Sequence, residues 1–175
     1  MTKTKKQLNY IIVAALIAAI YAALTFLGSV LGLSYGPIQL RFSEILTILP
    51  VFTPAAIPGL TIGCFIANIG SFNILDMFFG TLATLIAAIL TYLFKNIKYK
   101  KLPLLAFLPP VLINALIIGL EIAWFFLPEG LTFWGFLISG IQVGIGQFIV
   151  CYIFGIPFYM LVKKYKIFEK KFFKP

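Results

Sequence analysis

The chain has 175 residues, of which 62% are hydrophobic and 11% charged, with a mean hydropathy of +1.07. That composition excludes an ordinary soluble domain and predicts one integral membrane domain covering the whole chain. The net charge of +9 does not point to nucleic acid. The lysines flank apolar spans and are not interleaved with polar recognition residues, so orientation in the membrane and contact with anionic lipid account for them.

Thirteen of the fourteen basic residues fall in three clusters. Lys3, Lys5 and Lys6 form the first, Lys95, Lys98, Lys100 and Lys101 the second, and Lys163, Lys164, Lys166, Lys170, Lys171 and Lys174 the third. Lysine-rich loops stay on the cytoplasmic side, so all three are expected on that side together with both termini.

The first predicted span covers 8–30. Its lysine-rich flank is like that of a signal peptide, but the apolar run is too long for one and no clear cleavage site follows. Ala14, Ala18 and Ala22 form a small-residue stripe, with Ala15, Ala19 and Ala23 beside it. Such faces let a second helix approach closely, either from the same chain or from a partner protein.

The next apolar stretch, 38–69, is broken by Pro50, Pro54 and Pro58. As one kinked span it would put the middle lysine cluster outside. As two short spans, 38–53 and 56–70, it keeps all three clusters inside and gives six crossings, with 75–94, 102–126 and 133–162 completing the set. Spans two and three are shorter than the roughly 20 residues a crossing needs. Such helices are tolerated where neighbours or an aqueous cavity shelter their ends, an arrangement transporters use for binding sites. Pro109-Pro110 and Pro157 are expected to kink spans five and six. Cys64 and Cys151 lie singly in apolar runs and read as buried packing.

In this topology most ionisable residues converge on the outer half of the bundle. Arg41 and Glu44 open span two, Asp76 opens span four, and Glu121 lies near the outer end of span five. Asn68 and Gln142 follow the same pattern, while Asn114 and Gln147 sit deeper. Charges at membrane depth normally face a cavity and serve a function. Plainer roles exist for several: a local ion pair for Arg41 with Glu44, a helix-start charge for Asp76, interhelical hydrogen bonds for Asn114 and Gln147. Glu129 is expected to be solvated. Glu121 has no cation near it in sequence and is the first candidate for ligand contact. Trp124, three residues further on, is the aromatic placed to stack on a planar ligand. Carboxylates, amides and aromatics together suit a flat, hydrogen-bond-donating heterocycle.

Histidine is absent, which removes the commonest general base and metal ligand, and no metal or cofactor is expected. The phosphate-loop, HExxH and nucleophile-elbow patterns are missing as well. The chain is therefore read as a solute-binding membrane subunit that takes its energy from elsewhere, not as an enzyme.

Three blocks resemble the queuosine-precursor transporter family, QueT. They are Gly36-Pro37-Ile38-Gln39-Leu40-Arg41-Phe42-Ser43-Glu44, Asp76-Met77-Phe78-Phe79-Gly80-Thr81-Leu82-Ala83-Thr84, and Leu108-Pro109-Pro110-Val111-Leu112-Ile113-Asn114-Ala115 with Gly119-Leu120-Glu121. The resemblance implies an all-α, six-helix substrate-binding S component of an energy-coupling factor (ECF) transporter in the bacterial cell membrane. Its implied partners are a transmembrane coupling protein, docked on the alanine face of span one, and two ATPases. It also implies a lid over 28–39 and a deazaguanine cargo. For that cargo Glu121 would accept from the base edge, Asn68, Asn114, Gln142 or Gln147 would donate to its carbonyl, and Asp76 or Glu44 would face an aminomethyl group. The turn Gly70-Ser71-Phe72-Asn73-Ile74-Leu75 is less glycine-rich than expected for the family, which bears on the preference among deazaguanines. The alternatives are another vitamin-like cargo on the same scaffold, or a structural membrane protein without a small ligand.

Overall fold

The computed structural model describes residues 3–32, 41–69 and 74–169. The expected lid therefore falls mostly outside the described residues, as do the turn 70–73 and the last lysines. Among the described residues the chain is helical. Helix α1 (Lys3–Val30) is followed by a 3₁₀ helix (Phe42–Val51), α2 (Ala56–Ile69) and α3 (Ile74–Phe94). Then come α4 (Leu108–Glu121), α5 (Phe133–Phe148) and α6 (Gly155–Lys164). Four stretches are long and apolar enough to cross a membrane: Lys3–Val30, Ile74–Phe94, Leu104–Phe126 and Phe133–Lys164.

Helix α1 runs unbroken because it contains no proline and its one glycine is Gly28. Its buried stripe is Val13, Ala14, Ile17, Ala18, Tyr21, Ala22, Thr25 and Gly28, the three-to-four spacing of one helix face. That stripe packs on α2 at two glycines. A Cβ on Gly59 would meet the Ala14 carbonyl oxygen at 2.8 Å, and one on Gly63 the Ala18 carbonyl oxygen at 2.8 Å. Ala14, Ala18 and Ala22 are thus buried by packing within the chain. Ala15, Ala19 and Ala23 remain exposed.

The stretch with three prolines forms two short helices. Ten residues of 3₁₀ helix, with Pro50 inside, rise about 2.0 Å each, so Phe42–Val51 covers about 20 Å, close to the reach of fourteen-residue α2. A turn at 52–55 reverses the chain. Pro58 falls in the first turn of α2, where its missing N–H costs nothing. The turn lies among the lysine-flanked ends. Tyr10 Oη donates to the Pro54 carbonyl at 3.3 Å, and the Phe52 ring packs on Tyr159 and Phe168 at 5.0 and 5.9 Å. Phe94 and Leu102 join Ile48, Phe107 and Tyr159 in the same cluster. The start of α1, the loop after α3 and the end of α6 therefore meet at one end of the bundle.

Pro109 and Pro110 sit in the first turn of α4, entered by a 3₁₀ turn at Leu104–Phe107, and so start a helix where a mid-span kink was expected. Pro157 lies in the first turn of α6, just past a π-helical stretch at Ile149–Phe154. Cys64 and Cys151 are buried and free.

Candidate functional site

At the end of the bundle away from the lysines, six residues enclose a cavity: Arg41, Glu44, Asn114, Ile118, Val143 and Gln147. It is narrow, with an internal volume of about 20 Å³, room for about one water molecule. Three elements supply the lining. Arg41 caps the 3₁₀ helix and Glu44 lies in its first turn. Asn114 and Ile118 are one turn apart on α4, and Val143 and Gln147 one turn apart on α5.

Glycines bring those last two helices together. A Cβ on Gly119 would stand 2.6 Å from Gly140 Cα and 2.8 Å from Gly140 N, so α4 and α5 touch backbone to backbone. The antiparallel register that results sets Ala115 beside Gly140 and Gly144. Both helices widen into π turns directly beyond the site, at Ile122–Phe126 after Glu121 and at Ile149–Phe154 after Gln147.

The three carboxylates at this end have different surroundings. Glu44 is 3% exposed, and both its oxygens accept hydrogen bonds. Tyr21 Oη donates to Oε1, and Gln147 Nε2 donates to Oε2 at 3.0 Å. Nearby, Thr25 Oγ1 donates to Ser43 Oγ at 2.7 Å, tying α1 to the same turn. Asp76 is an ion-pair partner: Arg41 Nη2 lies 3.0 Å from Oδ2 and 3.4 Å from Oδ1. Its backbone carbonyl accepts from Asn68 Nδ2 at 2.9 Å, an approach that Gly80 makes possible by having no side chain. Glu121 is 2% exposed, and its Oε2 has no hydrogen-bond partner among the described residues. The charges acting on it are those of Asp76 and Arg41. It stands one turn past Ile118 on the face of α4 that carries Asn114, just beyond the six lining residues.

Residues 11–164 match the QueT transporter family. The chain belongs to that family. It is 42% identical over 83 residues to the "Queuosine precursor transporter QueT" of Lactococcus lactis subsp. cremoris (strain MG1363). That stretch is 47% of this chain and 49% of the relative, so the match covers about half of the relative's length. No solved structure matches. Family membership and the four long apolar helices make this a multi-pass membrane protein.

Within this QueT-family chain the structure regroups the residues expected at the site. Arg41, Glu44, Asn114 and Gln147 share the cavity, and Asp76 and Asn68 join it through Arg41. Arg41 and Glu44 are not a local ion pair, because the guanidinium turns to Asp76 on α3. Asp76 likewise is more than a helix-start charge. Gln147 does bond between helices, whereas Asn114 Nδ2 donates within its own helix to the Pro110 carbonyl at 2.8 Å. Two residues stand apart. Trp124 is 55% exposed and stacks on Phe125, because the π turn after Glu121 carries it to the bundle's outer surface. Gln142 is half-buried and is not among the lining residues. The apolar part of the lining is aliphatic, from Ile118 and Val143, not aromatic. Tyr21, which holds Glu44, was not singled out from sequence. Its signal was a hydroxyl-bearing residue on the α1 face that also carries Ile17 and Thr25.

Proposed function

We propose that this chain is the substrate-binding S component of an ECF transporter and imports a queuosine precursor, a 7-deazaguanine base. The observation that carries the reading is Glu121: a buried carboxylate with an oxygen unpartnered among the described residues, beside a polar cavity, in a QueT-family membrane protein. Buried polar atoms are nearly always satisfied, and one left open at a cavity rim is what a ligand donor would fill. A guanine-type edge presents neighbouring N–H donors that one carboxylate accepts in bidentate fashion. The carbonyl of the base then meets a donor from Arg41, Asn114 or Gln147, while Ile118 and Val143 face its ring. Glu121 and Asn114 are seven residues apart, about 10 Å along the helix, so a substituted base would span from Glu121 to the cavity once the side chains lining it move apart.

The accompanying topology has six crossings with both termini cytoplasmic. Its support is the meeting of the three lysine-flanked ends at one end of the bundle, opposite the cavity. Ala15, Ala19 and Ala23, exposed along α1, are the small-residue face left for the transmembrane coupling protein, and two separate ATPases supply the energy.

The test is thermal unfolding of the purified chain with the nitrile and aminomethyl deazaguanines, queuine, guanine, adenine and riboflavin. A ligand at about 100 times its Kd stabilises by about 2.7 kcal/mol, a readable shift. The reading expects a shift confined to deazaguanines and lost in Glu121→Gln. A flat panel from folded protein removes the cargo assignment, and unchanged affinity in Glu121→Gln removes the role of that residue.

A further inference from the structure

Glu44 is a buried carboxyl group with no ion-pair partner of its own among the described residues. It is 3% exposed, and its two oxygens accept from a phenol and an amide, both neutral. Among the described residues no lysine or arginine nitrogen lies within 4.0 Å of it; the ion pair at this end is Arg41 with Asp76. Among the described residues the cavity end holds Glu44, Asp76 and Glu121 against one arginine, and the lysines lie in the flanking clusters of the opposite end. Three acids against one base leave a formal excess of two negative charges in a membrane-embedded site. Carrying an ion into such surroundings is costly unless an opposite charge meets it there. Tyr21 and Gln147 hold the carboxyl group in place by donating to its two oxygens.

We infer that Glu44 is the counter-ion for a positively charged group on the cargo and selects cationic ligands over neutral ones of the same shape. The inference rests on the deazaguanine reading and narrows it to bases bearing a protonated amine on the 7-substituent. The division of labour follows from the partners each acid already has. Asp76 is committed to Arg41, which holds the guanidinium at the cavity wall. Glu121, near the rim, offers an open oxygen to the base edge. Glu44, bonded to Gln147 and lining the cavity with Asn114 and Arg41, meets whatever the 7-substituent carries inward. A nitrile leaves that carboxylate unpaired, whereas an ammonium neutralises it.

The experiment compares binding of the 7-aminomethyl base, its 7-hydroxymethyl isostere and the 7-nitrile by calorimetry on the purified chain. The wild type is expected to bind the amine at least about tenfold more tightly than either neutral form. In Glu44→Gln that preference should shrink to less than about threefold. Glu44→Asp draws the carboxyl back by one methylene, so it should weaken the amine by a larger factor than the hydroxymethyl form; this second variant serves if the first does not fold. Equal affinity of the wild type for the amine and its hydroxymethyl isostere overturns the inference and leaves the deazaguanine cargo standing. Retained preference in Glu44→Gln overturns the role of Glu44. Stabilisation of the ligand-free protein by sodium but not by choline also overturns it, in favour of a bound metal ion. Binding of none of the three overturns the cargo reading itself.

Discussion

Substituting Gly119 with alanine tests whether the α4–α5 crossing sets the geometry of the site. The new Cβ would lie 2.6 Å from Gly140 Cα and 2.8 Å from Gly140 N, where carbon atoms rest comfortably at about 3.5–4.0 Å. Both neighbours are backbone atoms, so no rotamer change relieves the clash and the helices must part by about 1 Å. Overpacking of this kind costs about 1–3 kcal/mol. Replacing a helical glycine by alanine returns about 0.5–1 kcal/mol, which leaves a net loss of about 1–2 kcal/mol. Gly144 supplies the internal control. Its Cβ would meet only the Ala115 Cβ, at 3.4 Å, so Gly144→Ala should be neutral or slightly stabilising in the same interface. The assay is thermal unfolding in detergent, where about 2–4 °C per kcal/mol is expected for a chain of this length. Gly119→Ala should melt several degrees below wild type. It should also bind ligand more weakly, because α4 carries Asn114, Ile118 and Glu121 while α5 carries Val143 and Gln147. A Gly119→Ala protein that melts with the wild type, or a Gly144→Ala protein that falls as far, refutes backbone contact as the determinant.

Tyr21→Phe removes one of the two donors to Glu44 and leaves a buried oxygen open; the expected loss is about 1–3 kcal/mol, read as a lower melting temperature with the helical circular dichroism unchanged. Trp124→Ala should change deazaguanine affinity by less than about threefold in calorimetry, because the indole lies on the bundle surface against Phe125; a loss of tenfold or more would return this residue to the site.

The long helices were legible because hydropathy over about 20 residues is a local property, and the reversal at 52–55 followed from prolines combined with the placement of lysines. The partners of the polar residues were not legible, because sequence spacing reports only neighbours along one helix. Arg41 and Glu44, three apart, suggest a pair on that rule, yet Arg41 reaches Asp76, 35 residues away. The two alanine stripes of α1 have the same period and the same composition. The side that faces inward is decided by Gly59 and Gly63 on another helix, whose four-residue spacing matches Ala14 and Ala18. Trp124 was placed by counting on α-helical spacing from Glu121, and the π turn that starts at Ile122 breaks that count.

Departures from α geometry therefore locate the site as well as its charges do. Inside a bilayer, irregular backbone survives only where protein covers it or where it borders a cavity. Glu44 lies in a ten-residue 3₁₀ helix whose residues are nearly all buried. One π turn follows Glu121 directly, and the other begins two residues after Gln147 and places Cys151 Sγ 3.9 Å from the Glu44 carbonyl oxygen. A straight α-helix in each of these places would turn the side chains beyond it by a different angle and alter the contacts around Glu44. The glycines at the α4–α5 crossing do the complementary work, closing the bundle just where the polar side chains need one another. In so apolar a chain these polar residues gather around one cavity because the backbone there is bent, widened and stripped of side chains to let them approach.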